Sequence, residues 1–272
     1  MKEPLPQPQH LSLHPIRPEG SVELDSLVVK PRGHEPVALP PYIDWPSFHR
    51  WFAEHWNSDL DYGAEHVVIV GQAGSGKTTL AVRGLLPLRP YVVVFGTKTR
   101  DSSLYDPLIA QGFIKTDTFD AGNTKQPKVI FVPKLAEPSK EALAAQREKF
   151  RKALVGIFQT GGWCVYLDEV RYLSETLKLE NELNTLWLQG RSLYVTMVAS
   201  TQRPVSIPLN AFEQATHSFL FRISGHDDRK RASEFQGMHS PVVFETVGRL
   251  PPHELLYIDS VEDVLARTKV ER

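Results

Sequence analysis

The sequence predicts a three-layer α/β fold around a mainly parallel sheet, and two observations carry that prediction. Short continuous apolar runs rich in Val and Ile recur at His66–Val70, Tyr91–Gly96, Val129–Val132, Trp163–Asp168, Tyr194–Ser200, His217–Ile223 and Leu255–Ile258. Strands covered on both faces read this way, whereas half-exposed strands alternate in polarity. Between the runs lie helical patterns at 77–86, 139–158, 177–190 and 226–235. Strand–helix alternation of this kind builds a parallel sheet with helices on both faces.

Composition narrows the class. The 272 residues suit one large domain with extensions, and 41% hydrophobic with 23% charged residues is globular usage. The single cysteine, Cys164, excludes a disulfide framework and a cysteine-rich zinc site, and suits a reducing cytoplasm. The ten histidines show no metal-ligand spacing. No run of 18 apolar residues occurs and the opening MKEPLPQPQH has no apolar core, so neither a membrane span nor secretion is expected. Lys plus Arg number 31 against 32 Asp plus Glu, so a nucleic-acid partner would be met by a local patch.

Taken in order, ten of the 21 prolines fall within residues 1–46, and 1–43 reads as a proline-rich arm, extended or disordered. The main domain is expected over 44–260. It opens with an amphipathic helix at 46–57, where Phe48, Trp51, Phe52 and Trp56 recur at helical spacing and form a core-facing stripe. Val261, Val264 and Leu265 after Ser260 suggest a closing helix over 261–272.

The run HVVIV leads directly into Gly71-Gln72-Ala73-Gly74-Ser75-Gly76-Lys77-Thr78, followed by Thr79. This is GxxxxGK[ST] between a strand and a helix, the context its mechanism requires. Small residues let successive backbone N–H groups converge on phosphate oxygens, Lys77 reaches the β and γ phosphates, and Thr78 holds Mg²⁺. The domain therefore reads as a P-loop NTPase. No NKxD-type guanine motif follows: Asn123-Thr-Lys-Gln and Thr97-Lys-Thr-Arg lack its aspartate, so ATP is the expected nucleotide.

A second apolar run ends in Asp168-Glu169, about 90 residues downstream. Asp168 suits the Mg²⁺-holding Walker B position and Glu169 the general base that polarises the attacking water. That pairing indicates the additional-strand, catalytic-Glu type of P-loop fold, in which the next strand lies between the Walker B and P-loop strands. Gln202, at the tip of that next strand, is the candidate phosphate-sensing or water-positioning side chain.

Gly190-Arg191-Ser192, the following strand, and Ser200-Thr201-Gln202-Arg203-Pro204 resemble the FtsK/HerA superfamily of DNA-pumping ATPases, and His217–Ser224 resembles the strand that follows in that family. The resemblance spans about residues 64–260. It implies a pentameric or hexameric ring that hydrolyses ATP between subunits and draws double-stranded DNA through a channel. Chromosome translocases of this family carry membrane helices and a winged-helix domain, which do not fit here, and only 36 residues follow Gln236. A compact motor of this kind is most similar to the small packaging ATPases of phages and other viruses, with a capsid portal as a candidate docking partner.

Such a ring needs a cation from the neighbouring subunit. Arg191, after a helix with the stripe Leu179, Leu183, Leu186 and Trp187, is the first candidate, Arg203 the second and Arg222 the third. For DNA phosphates the candidates are Lys98 and Arg100 after the second strand, Lys125 and Lys128 around a loop, and Lys149, Arg151 and Lys152 on a helix. Two other functions compete: an ATPase scaffold or coupling protein of a DNA-transfer or segregation system, and a small-molecule P-loop kinase. The kinase would need an arginine-rich lid, which is not evident, and gives no reason for the TQRP strand.

Overall fold

The computed structural model describes residues 38–56, 58–59, 63–204, 209–234 and 239–271. Most of the proline-rich arm, residues 1–37, and Gln236 lie outside the described residues. Where the arm ends, Ile43 N–H donates to Arg267 O at 2.8 Å and Arg267 N–H donates to Pro41 O at 2.7 Å, tying residues 41–43 to the last strand.

Helix α1 (Trp45–His55) starts because Asp44 accepts from Ser47 N at 3.0 Å and Pro46 occupies the first turn, where no N–H is missed. Its aromatic face docks on the sheet, with Phe48 against Tyr257 at 5.0 Å between ring centroids and Phe52 against Phe219 at 5.3 Å. A two-residue ribbon, β1 (Ser58–Asp59) with β2 (Gly63–Ala64), leads into the main sheet.

That sheet contains β3 (His66–Val70), β4 (Val92–Phe95), β5 (Ile114–Thr116), β6 (Lys128–Phe131), β7 (Cys164–Leu167), β8 (Thr196–Thr201), β9 (Ala215–Phe221), β10 (Glu254–Asp259) and β11 (Val264–Lys269). Their order is β11-β10-β9-β3-β8-β7-β4-β6-β5. From β5 to β9 every pairing is parallel; β10 and β11 are added antiparallel at the edge. The mixed, mainly parallel sheet and the three layers match the expected fold class, and β8 lies between β7 and β3 as the catalytic-Glu type requires.

Alternate residues of each strand feed two separate cores. Val68, Val70, Phe95, Phe131, Val165 and Leu167 face α4 (Lys140–Thr160), α5 (Glu180–Gln189) and α8 (Ser240–Arg249). Val67, Ile69, Val94, Ile130 and Tyr166 face α1, the helix after the P-loop and α3 (Ser102–Ala110). All five residues of β3 are buried, which is why the run is apolar without alternation.

The expected helix over 261–272 is replaced by strand β11. Asp259 Oδ1 accepts from Val261 N at 2.9 Å and Glu262 N at 3.0 Å, and Asp263 adopts a left-handed φ of 58°, so the chain reverses at once and pairs with β10. The open edge of β10 outweighs the helical spacing of three apolar residues, one of which, Val261, stays exposed. The strand expected from Tyr194 begins at Thr196, because Tyr194 closes a 3₁₀ turn over Gly190–Leu193 in the left-handed conformation.

A buried polar cluster joins the edge strands. His217 Nδ1 lies 2.8 Å from Tyr257 Oη, and its Nε2 lies 3.0 Å from Glu65 Oε2. Burial disfavours the imidazolium, but hydrogen bonds and charge from Asp259 and Glu65 outweigh it and raise the His217 pKa. A raised histidine stabilises the fold below its unfolded value near 6.5, and that contribution is lost as pH rises through the folded value. Burial opposes ionisation of Asp259, but the hydrogen bond and charge of His217 hold its pKa below the ordinary value, so its stabilising contribution is present at neutral pH and lost only as pH falls through the carboxylate range. The melting temperature should therefore fall as pH rises from about 6.5 through the raised His217 value, and His217→Gln should flatten that slope; an equal slope in the variant would dismiss the cluster as its source.

Candidate active site

Strand β3 delivers Gly71 between the ends of β8 and β9. Gly71 N–H donates to Thr201 O at 3.2 Å, and a Cβ at this position would lie 2.6 Å from both Phe221 Cβ and Ser75 Oγ. Only glycine lets the loop turn so close to β9. Gly74 and Gly76 have φ of 74° and 117°, conformations that glycine adopts without strain. The following helix, α2 (Lys77–Thr79), continues as a π-helical segment over Leu80–Leu85, and a cavity of about 470 Å³ beside it is lined by Gly74, Gly76, Lys77, Thr78 and Thr79 together with Ser103 and His253. Lys77 Nζ donates to the Gly71 and Gln72 carbonyls at 2.6 and 3.0 Å. Burial lowers its pKa, while Asp168 and Glu169 oppose that shift, so the three groups share one electrostatic environment.

Asp168 and Glu169 follow β7 directly and are both half-buried. Tyr166 Oη donates to Asp168 Oδ1 at 3.3 Å, and Lys98 Nζ lies 3.7 Å from Asp168 Oδ2. Burial raises the Asp168 pKa, with Asp101 adding to the shift and Lys98 opposing it. Glu169 is raised too, by burial and then by the Asp168 charge. A carboxylate raised in this way is a stronger proton acceptor once ionised, as a general base requires. Among the described residues no group of three or more His, Cys, Asp or Glu is arranged to hold a metal. The oxygens on hand, the Thr78 hydroxyl and the Asp168 carboxylate, are hard donors suited to Mg²⁺, which takes few protein ligands and completes its shell with phosphate and water.

Gln202 lies exposed just past β8, whose end touches the P-loop through Thr201. Arg203 stands beside it, its Nε 3.3 Å from Asp228 Oδ2 on α7 (His226–Glu234), and Arg222 follows β9 at the same end of the sheet. Arg191 does not join them. Its 3₁₀ turn follows α5 and packs at the opposite end, where Gly190 approaches His66 and Gly162 N–H donates to Leu193 O at 2.9 Å. The length of β3 alone separates that end from the phosphate loop by roughly 13 Å.

The DNA candidates divide in the same way. Lys98 and Arg100 follow β4 at the phosphate end; Lys128 opens β6 at the far end, with the exposed Lys125 just before it. Lys149 faces Asp117 at 3.9 Å, while Arg151 and Lys152 both face Glu148 along α4. Sequence reasoning missed two residues. Asp101 forms an ion pair with Lys98 at 3.0 Å, and His253, with a left-handed φ of 66°, places Nδ1 3.2 Å from Ser75 O of the P-loop. Asp101 could have been found as the cap of α3 in Asp101-Ser-Ser-Leu; His253 carries no such signal.

Neither a protein-family model nor a curated protein matches this chain. Solved structures do. The genome packaging NTPase B204 from Sulfolobus turreted icosahedral virus 2 in complex with AMP superposes with a TM-score of 0.58 at 16% identity, covering 76% of this chain and 98% of that one. The same protein in complex with ATP-gammaS gives 0.56 at 18% identity, over 75% and 96% of the two chains. VirB4 of Thermoanaerobacter pseudethanolicus gives 0.56 at 10% identity, over 76% and 89%. At these identities the likeness is one of fold: the three-layer α/β architecture with its mainly parallel sheet is shared with these structures.

Proposed function

We propose that this chain hydrolyses ATP to drive double-stranded DNA through a ring of its own copies, as a motor that packages a viral genome in the host cytoplasm. The observation that carries the reading is the tip of the sheet: Asp168-Glu169 on β7, Gln202 past β8 and the Gly71–Thr78 loop on β3 come from adjacent strands and converge at one end. A Glu directly after the metal carboxylate is typical of ATPases that do mechanical work and much less so of simple nucleoside kinases. The packaging role draws support from the fold shared with B204 and from the GR and TQRP segments around β8.

In the chemical step the loop N–H groups and Lys77 hold the triphosphate, and Thr78 and Asp168 would hold Mg²⁺. The ion would screen charge on the β and γ oxygens. Glu169 accepts a proton from the attacking water as its oxygen bonds to the γ-phosphorus. The bond to the β–γ bridging oxygen breaks, leaving ADP and phosphate. Gln202 orients the water.

DNA-dependent ATP turnover tests the reading. Duplex DNA of any sequence should raise turnover several-fold, and the stimulation should weaken steeply with salt, because the contacts are to backbone phosphates. Turnover indifferent to DNA would favour the scaffold, and stimulation by one short sequence at physiological salt would count against a translocase.

A further inference from the structure

Lys98 is a DNA candidate by its place in the sequence, yet its ammonium points at the metal carboxylate. Its backbone is fixed: Tyr105 Oη donates to Lys98 O at 2.6 Å, and Tyr105 comes that near because Gly96 has no Cβ, which would collide with the phenol oxygen. Its head group is held by Asp101, a residue with a divided task. Asp101 Oδ1 accepts from Leu104 N at 3.2 Å, capping α3, and from Ser103 Oγ at 2.7 Å. That leaves Oδ2 for Lys98 Nζ at 3.0 Å.

The second contact differs in kind. Lys98 Nζ to Asp168 Oδ2 is 3.7 Å, an ion pair without hydrogen-bond geometry, and a metal ligated by Asp168 would compete for that oxygen. Asp101 and Asp168 side chains are 12% and 14% exposed, whereas that of Lys98 is 61% exposed to solvent. An ammonium has three donors and the strong bond to Asp101 uses one. The Lys98 charge also reaches Lys77, adding to the burial that lowers the Lys77 pKa.

Given the reading of the site as an ATP site, we propose that Lys98, anchored by Asp101, is a second phosphate-binding lysine that contacts the terminal phosphate from within the same subunit and thereby distinguishes ATP from ADP. Lys77 approaches from the loop; Lys98 approaches from the tip of β4, on the side of Asp168, the residue that would hold Mg²⁺ beside the terminal phosphate. Asp101 is a positioning residue, since it acts through Lys98.

Equilibrium binding of fluorescent ADP and ATPγS to the full-length protein, with and without Mg²⁺, tests this alongside steady-state turnover. Lys98→Ala should bind ADP within about twofold of wild type, bind ATPγS at least roughly tenfold more weakly, and lose kcat by about a hundredfold. Lys98→Arg should restore part of the ATPγS preference, and Asp101→Asn should fall between the two, with melting curves confirming that each variant folds. Equal weakening of both nucleotides, or no change in either, overturns the proposal while leaving the ATP reading intact. Unchanged basal turnover with lost DNA stimulation overturns it in favour of a DNA contact. Failure of the wild type to bind either nucleotide overturns both.

Discussion

Glu169→Gln should bind ATP as tightly as wild type and turn it over about a hundredfold or more slowly, whereas Lys77→Ala should lose binding altogether. The two residues stand on opposite sides of the same event. Lys77 lies in the loop and acts on phosphate charge in ground and transition states alike, so its loss appears in affinity. Glu169 acts on water, so its loss appears in kcat. The amide of glutamine preserves shape and removes only the proton acceptor. Because burial and the Asp168 charge raise the Glu169 pKa, wild-type kcat should decline in acid at a pH above the ordinary glutamate range: the base works only when ionised. Nucleotide binding by fluorescence together with phosphate release separates these effects. Wild-type turnover by Glu169→Gln would remove Asp168-Glu169 from the catalytic role.

The second large effect concerns Arg191. Alone, Arg191→Ala should bind ATP and lose turnover by roughly 10³–10⁵, the scale of a trans-acting arginine. The fold makes the geometry specific. Arg191 sits where β8 begins, and the loop it would serve lies where β3 ends, so within one chain it cannot reach the phosphate. Any catalytic role requires another copy. Mixing Arg191→Ala with Glu169→Gln should then restore partial activity, since some interfaces join an intact base to an intact arginine. Mixed rings that remain inactive would point to obligatory firing of every subunit. Full activity of Arg191→Ala alone would retire the residue and make Arg203 the next to test.

Much of this site is legible in short stretches of the chain. The loop Gly71–Thr79 works through backbone N–H groups and small residues, so its function is written in consecutive positions. Asp168-Glu169 and Gln202 end apolar runs, and the end of a parallel strand is where ligands gather. Strand boundaries hold at β3 and shift by one or two residues at β4, β6, β7, β8, β9 and β10; at β8 a turn rather than hydrophobicity sets the limit. Helices α3, α6 (Leu209–Gln214) and α8 have no clear signature in the sequence. Pro107 within α3 reads as a breaker, and α8 carries Pro241 in its first turn and no side-chain cap.

What the sequence determined by itself was therefore local: the phosphate loop, the acidic strand end, the doubly buried strands and the aromatic face of α1 each follow from neighbouring residues and short-range periodicity. Three matters were decided only by tertiary structure. The last segment became β11 because β10 offered an unpaired edge, a partner invisible in residues 261–272 themselves. Lys98 turned from a surface lysine into a neighbour of Asp168 because β4 and β7 are adjacent, although 70 residues separate the pair in sequence. Arg191 went to the far end of the sheet because the chain returns through α5 before entering β8. Periodicity reports which face of an element is buried; which ends meet depends on strand order, and that is set by long-range pairing between runs whose apolar residues look alike.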